Sequence, residues 1–562
     1  MTDMRRTLLW MIFAVSLMML WDAWNKHNGH PTVMGMPVPQ SVAASRPAGT
    51  SGASSAAAGA GSHVAHAAAP AATPASAAPA VAERVTITTD VVKATIDTEG
   101  ASLVRIELLK HHDEKDKNKN IVVLDKTDTH TYVAQSGLFG VSAEQALPNH
   151  TTVFNIETTA RTLDAGSDQL EVRLASQPIN GVKLIKTYTF KRGDYAIGVR
   201  HEVVNTSTAA MRPSLYLQLQ RDGSKPQGSQ EPSFFGGPQA YAGMAVYNAK
   251  GKYQKVDFES IDKGKAEFEK TDDNGWVAMV QLYFASAWLQ NDKVPREFFS
   301  KKVNTQLYAT GMLFGLGEIA AGQSKRFDAS LFVGPQEENV LSKLAPGLEY
   351  TKDYGWTHVI AAPLFWLLDK LHAMLSNWGW AIVALVVLLK VAFYGLNASA
   401  YRSMAKMKAV NPKIQEMRER LKSDPQKMQQ EMMRIYREEK VNPLGGCLPI
   451  VIQIPVFIAL YSVLSSSVEI RNAPWIGWIT DLSVKDPYYV LPALMTLSTL
   501  LQTWLNPTPP DPMQAKMMWI MPLLFSVMFF FFPAGLVLYW LTNNVLSIAQ
   551  QWMINRQLGV TN

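Results

Sequence analysis

The sequence predicts a multidomain membrane protein: an α-helical polytopic bundle of six transmembrane helices that carries an antiparallel β-sandwich. Three observations point there. Long apolar runs dominate residues 358–555, and residues 83–350 alternate apolar with polar side chains at period two. Mean hydropathy is near zero only because it averages over these halves. The 562 residues suffice for several domains, and the net charge of +6 is modest, so the placement of basic residues matters more than their number.

Residues 1–6, with Arg5 and Arg6, precede a first span at 7–24. That run ends in Trp21-Asp-Ala-Trp24 with no small-residue cleavage pattern directly after it. It reads as an uncleaved signal anchor with a cytoplasmic N-terminus. Residues 25–82 are a linker. From 41 on it is almost entirely Ala, Ser, Pro and Gly, a composition that cannot bury a core.

From Arg84 the period is two. Tyr195, Ile197, Val199, His201 and Val203 alternate with Ala196, Gly198, Arg200 and Glu202; Leu215, Leu217 and Leu219 alternate with Tyr216 and Gln218. Such runs, separated by Gly, Asn, Asp and Pro turns, predict a sandwich over 83–350. A helix over Pro335–Leu348 closes it. His111-His112-Asp113-Glu114 lies in the charge run Lys110–Asn120, which reads as a solvated hairpin loop. Residues 358–375 form an amphipathic helix suited to the outer membrane interface. Ile360, Leu364, Leu367, Leu368, Leu371 and Leu375 lie on one side of it, opposite Asp369, Lys370 and His372.

Five more spans follow, at 377–397, 446–467, 488–505, 517–532 and 535–553, then a tail at 554–562. Eleven basic residues lie between Arg402 and Lys440, which makes that loop cytoplasmic. An inward first N-terminus puts it there as well, with both chain termini in the cytoplasm and the sandwich outside. Within the loop, 399–441, Met407, Val410, Ile414, Met417 and Leu421 follow 3-4-3-4 spacing. Asp424 caps a second helix that starts at Pro425, and Met428, Met432 and Ile435 repeat the seam. This is an antiparallel helical hairpin. It is either simply solvated or a docking surface built from Met404, Met407, Lys408, Arg418, Met428, Met432 and Arg437.

Lys390 is the lone charge in Trp378–Leu396. At 1.5 Å per residue it lies roughly 18 Å along the helix from Trp378, past the midplane of a core about 30 Å thick. An ammonium there costs about 3 kcal/mol, so it either snorkels or marks a functional site. Tyr539, Asn543, Ser547 and Gln550 recur at helical spacing in the last span, Ser498 and Gln502 pair in the fourth, and Gln453 stands in the third. These polar groups either bond helix to helix or, with Lys390, line a wet cavity. The five later spans contain no Asp or Glu to pair with Lys390.

Catalytic signals are lacking. The single cysteine, Cys447, reads as a small buried hydrophobe, and no Cys/His cluster has metal-ligand spacing. There is no nucleophile elbow, no Walker motif and no inverted repeat of broken helices. No cofactor, metal or nucleic acid is expected, and no enzymatic activity.

Several stretches carry a resemblance: Asn377-Trp-Gly-Trp380, Met404-Ala-Lys-Met407, Val441-Asn-Pro-Leu-Gly-Gly-Cys447, Asp486-Pro-Tyr-Tyr489, Asp511-Pro-Met513 and Phe532-Pro-Ala-Gly-Leu-Val-Leu-Tyr539. Lys191-Arg-Gly-Asp-Tyr195 and Gly275-Trp-Val-Ala-Met279 add to them in the soluble part. The chain resembles the YidC family of bacterial membrane protein insertases, in its Gram-negative form, essentially end to end. The resemblance implies a periplasmic β-supersandwich and a five-helix core around a hydrophilic groove open to the cytoplasm and lipid. It implies an inner-membrane insertase and chaperone for nascent membrane proteins, alone or with the Sec translocon and its accessory subunits. The ribosome and the signal-recognition pathway are further implied partners.

The family's single groove cation falls on Lys390, where many members have arginine; it would attract acidic residues of a substrate's translocated tail. Tyr539-Trp540 replaces a frequent Tyr-Tyr. The tail after Gln551 has only Arg556, so it supplies little basic charge for a ribosome. Two other classes stay open. One is a channel or secondary transporter with Lys390 as an anion site. The other is an anchored sugar-binding or sugar-modifying domain, since such sandwiches resemble those of carbohydrate enzymes.

Overall fold

The computed structural model describes residues 82–113, 116–140, 145–224, 241–421, 424–439, 448–506 and 512–557. The expectations for 1–6, the anchor 7–24, nearly all of the linker 25–82, and Cys447 lie outside the described residues. The chain divides into two compact units. The first holds Ala345–Leu348 with everything up to Gly334, and the second holds Pro335–Leu344 and Glu349 onward.

The first unit contains two nine-stranded sheets. In spatial order, one runs Arg84–Thr88, Val92–Asp97, Ser102–His112, Asn120–Lys126, Thr131–Phe139, Ser214–Asp222, Leu307–Gly315, Arg296–Lys302 and Thr271–Asp272. The other runs Lys252–Val256, Gly243–Asn248, Trp276–Val280, Phe284–Leu289, Ser324–Pro335, Ala196–Asn205, Val182–Lys191, Gln169–Ser176 and Phe154–Ile156. Neighbouring strands pair antiparallel, as Ser214–Asp222 does with both Thr131–Phe139 and Leu307–Gly315. The period-two pattern has its physical basis here: Ile197, Val199, His201 and Val203 are buried on one face.

Leu215, Leu217 and Leu219 are buried too, but so are Tyr216 and Gln218. The face expected to meet solvent is covered, because His150 donates its backbone N–H to the Tyr216 hydroxyl at 3.0 Å and its Nδ1 lies 2.5 Å from the same oxygen. The strand Ser102–His112 also runs into the charge run expected as loop. The His111 ring lies 5.6 Å from that of Phe284 and 6.0 Å from that of Tyr195, centroid to centroid.

The second unit is helical: α1 Glu338–Leu344, α2 His358–Leu375, α3 Trp378–Ala392, α4 Tyr394–Arg420, α5 Pro425–Glu438, α6 Leu448–Ser466, α7 Val490–Leu505, α8 Pro512–Met528 and α9 Ala534–Gln557. The helix expected over Pro335–Leu348 is thus α1, shorter than expected and part of this unit. The Tyr354 hydroxyl donates to Glu338 at 3.4 Å. In α2 the buried stripe is Ala361, Leu364, Phe365 and Leu368, while Val359, Trp366 and Met374 are exposed. It is offset from the expected stripe because α2 packs on α3 and α6.

Helix ends follow from their capping residues. Ser376 takes a left-handed conformation that ends α2, and Asn377 then accepts from Trp380 N–H at 3.1 Å to start α3. Asp424 accepts from Lys427 N–H at 3.2 Å with Pro425 in the first turn of α5. The α9 N-terminus gives its Ala534 and Gly535 N–H groups to the carbonyls of Val484 and Leu482, at 2.7 and 2.9 Å.

Among the described residues no single helix is long and apolar enough to cross a membrane. The run expected as one span over 377–397 is two helices, α3 and α4, bent by 69° at Phe393. Around the bundle core of Ile382, Leu385, Leu460, Val463, Val537 and Leu538, the apolar residues fill the interior.

Candidate functional site

Lys390 sits in the last turn of α3, just before the bend. Its Nζ donates to Ser547 Oγ on α9 at 2.7 Å, and Ser547 in turn donates to the Asn543 carbonyl one turn back, also at 2.7 Å. One turn further along α9, Gln550 Nε2 donates to the Tyr394 carbonyl at 3.4 Å, at the first residue after the bend. One helix therefore grips the chain on both sides of the break.

Lys390, Asn397, Gln453, Tyr539 and Asn543 line a crevice among Val386, Leu389 and Val456. Gln453 on α6 donates to the Tyr539 hydroxyl. The crevice has about 20 Å³ of interior room, enough for one water. Among the described residues no carboxylate lies within ion-pair distance of Lys390, so its charge meets only neutral dipoles.

The residues expected in the groove therefore divide. Lys390, Gln453, Tyr539, Asn543 and Ser547 come together. Ser498 does not join them: its hydroxyl donates to Met495 O at 2.7 Å and accepts from Asn544 Nδ2 at 3.2 Å, which ties α7 to α9. Gln502 is absent from the crevice lining. Sequence reasoning missed Asn397, which is buried in the first turn of α4, just past the bend. Asn544 was also missed; a polar residue beside the Asn543 stripe marks a second helix contact.

In the hairpin, Val410, Ile414 and Met417 form the seam against Met407, Leu421, Met428, Met432 and Ile435. Lys413 Nζ and Glu439 Oε1, 2.6 Å apart, join α4 to the end of α5. Met407, Met428 and Met432, expected on a docking surface, are half-buried against this seam. Met404 packs on Tyr401 and Ile554, and it is Met433 that is exposed. Lys408 faces a cleft of about 350 Å³ with Asn411, Thr503, Trp504 and Trp519. Arg418 is half-buried, and Arg437 is exposed on the last turn of α5.

Residues 84–367 match the family described as YidC periplasmic domain, and residues 370–560 match 60Kd inner membrane protein. The chain is 55% identical over 559 residues to the membrane protein insertase YidC of Cupriavidus metallidurans, covering 99% of this chain and 98% of that one. It is 50% identical over 560 residues to the protein of the same name from Bordetella pertussis, again with 99% and 98% covered. A crystal structure of an active YidC insertase covers 83% of this chain and 91% of its own, with 18% identity and a TM-score of 0.36. With both halves matched and half or more of the residues identical along nearly the whole length, the chain belongs to the YidC family of membrane protein insertases.

Proposed function

We propose that this protein inserts nascent membrane proteins into the inner membrane, with Lys390 as a transient counter-charge for acidic residues in the tail that crosses. The observation that carries the reading is the Lys390–Ser547 contact: a charge inside the bundle whose partner is neutral. A cation already paired with a carboxylate could offer little to a second one. A cation held by a hydroxyl can exchange that partner for a charged oxygen, which bonds more strongly.

Six spans, at 7–24, 377–397 with its bend, 446–467, 488–505, 517–532 and 535–553, fit this reading. Both termini then lie in the cytoplasm, with the helix 358–375 in the outer interface. Its support is the basic hairpin and the exposed apolar side chains on α7 and α8, including Leu497, Ile520, Leu524 and Val527. Lys390 then faces the cytoplasmic half of the membrane.

Magnitudes decide what the protein must supply. A substrate span of about 15 Leu, Ile, Val and Phe residues gains on the order of 7 kcal/mol, more than the ~3 kcal/mol that one carboxylate costs at the membrane centre. The substrate therefore supplies the driving force, and the insertase lowers the barrier for the polar tail. No covalent step is needed. The basic faces of the hairpin, with Lys408, Arg418 and Arg437, meet the chain or its carriers: the ribosome, the signal-recognition pathway or the Sec translocon.

Photocrosslinking from Gln453 and Asn543 to a stalled nascent membrane protein tests the path. Crosslinks to its leading segment are expected. Crosslinks from the hairpin alone, with none from either crevice position, would place the path elsewhere.

A further inference from the structure

We propose that Ser547 is a displaceable latch on Lys390 and thereby sets which tails the site accepts. The inference rests on the counter-charge reading above and extends it to specificity. Three observations carry it. Ser547 Oγ receives the Lys390 ammonium at 2.7 Å. Its own proton is committed to the Asn543 carbonyl at 2.7 Å, so its lone pairs face the lysine. The crevice beside them has room for about one water, so an arriving group cannot simply sit alongside.

Engagement is therefore an exchange of partners. A carboxylate displaces the hydroxyl because the ammonium then bonds an ionised acceptor in place of a neutral one. A neutral amide from an Asn or Gln side chain gains nothing by the exchange and leaves the latch closed. Selectivity for acidic tails then comes from the latch as much as from the lysine: the competing acceptor is strong enough to exclude neutral groups and too weak to exclude a carboxylate. Because Ser547 acts through Lys390, it is a positioning residue.

The test uses full-length protein in proteoliposomes and two substrates, identical but for Asp or Asn in the translocated tail. Ser547→Asp gives Lys390 a permanent ion pair. Insertion of the Asp-tail substrate is expected to fall about tenfold, to the level of Lys390→Ala, and by clearly less for the Asn-tail substrate. Lys390→Ala combined with Ser547→Ala is expected to be no worse than Lys390→Ala alone. Ser547→Ala opens the latch and is expected to keep Asp-tail insertion within about twofold while narrowing the gap between the two substrates.

Normal Asp-tail insertion by Ser547→Asp, beside impaired Lys390→Ala, would overturn the latch and leave the counter-charge intact. No effect of Lys390→Ala would overturn the counter-charge itself. Should Ser547→Asp not reach the membrane, Ser547→Ala decides alone. Equal loss on both substrates means a merely structural serine, and a narrowed gap that vanishes in the Lys390→Ala background supports the latch.

Discussion

The indole of Trp475 lies so close to the backbone of Gly379 that a Cβ on Gly379 would come within 2.1 Å of it. Gly379 is in the first turn of α3, and Asn377 Nδ2 donates to the carbonyls of Pro474 and Trp475, each at 3.2 Å. The loop after α6 thus clamps the start of the helix that carries Lys390 in its last turn. Gly379→Ala is expected to cost about 1–3 kcal/mol, because the overlapping atoms belong to a rigid ring. Thermal unfolding in detergent checks it; an unchanged midpoint would mean the indole is free to swing away.

Asp486 organises the next element. Buried, it accepts from Trp478 Nε1 at 3.1 Å, Tyr488 N–H at 3.0 Å and Leu491 N–H at 2.7 Å, the last at the start of α7. Asp486→Ala strands the buried Leu491 N–H and two half-buried donors and is expected to cost about 1–3 kcal/mol, with Asp486→Asn milder. Protease resistance of the α6–α7 loop reads the difference.

A buried ion pair joins Lys352 to Glu469, with Nζ 2.9 Å from the carboxylate. Glu337 and Glu338 are held above the usual carboxylate range chiefly by burial, and the Glu469 charge acts in the same direction. Lys352→Met is expected to cost about 3–5 kcal/mol, because three carboxylates then face one another without a cation. Lys352→Met with Glu469→Leu is expected to recover most of that in the same unfolding measurement, since desolvating the ion pair offsets much of its attraction.

In the sandwich, Lys186 Nζ donates to the carbonyls of Gly100 at 2.6 Å and Ser136 at 2.8 Å, and burial pushes its pKa down to about 7. A group depressed in the folded state adds stability that is full above its ordinary value near 10.5 and is lost as pH falls through about 7. The sandwich is therefore expected to gain about 2 kcal/mol between pH 7 and pH 9. His150 and His201, lowered by burial to about 4 and about 3, add only about 0.3 kcal/mol together in that window. Urea unfolding of the full-length protein checks it. Lys186→Met is expected to remove most of the slope, and a slope that survives undiminished would assign it to another group.

Much of this architecture is legible in single residues. Period-two burial of Ile197, Val199 and His201, the 3-4 seam through Val410, Ile414 and Met417, and the Asp424-Pro425 cap each rest on a local rule that needs no partner. The bend at Phe393 is not legible, because the apolar run continues through it without a proline and Gly395 is only a weak hint. Nor is the division of labour on α9. Spacing puts Asn543 and Ser547 on one stripe, but only the fold turns their neighbours Asn544 and Gln551 toward α7, where Gln551 Nε2 donates to Leu505 O at 3.3 Å. Periodicity gives a face and leaves its partner open, which is why Ser498 was grouped with Lys390 and belongs to Asn544.

The most direct test of the central claim is insertion of an acidic-tailed substrate into proteoliposomes by Lys390→Ala and Lys390→Arg, scored by protease protection of the tail. The expected result is a drop of about tenfold for Lys390→Ala, full activity for Lys390→Arg, and no drop for Lys390→Ala when the tail is neutral. Undiminished insertion of the acidic tail by Lys390→Ala would contradict the account.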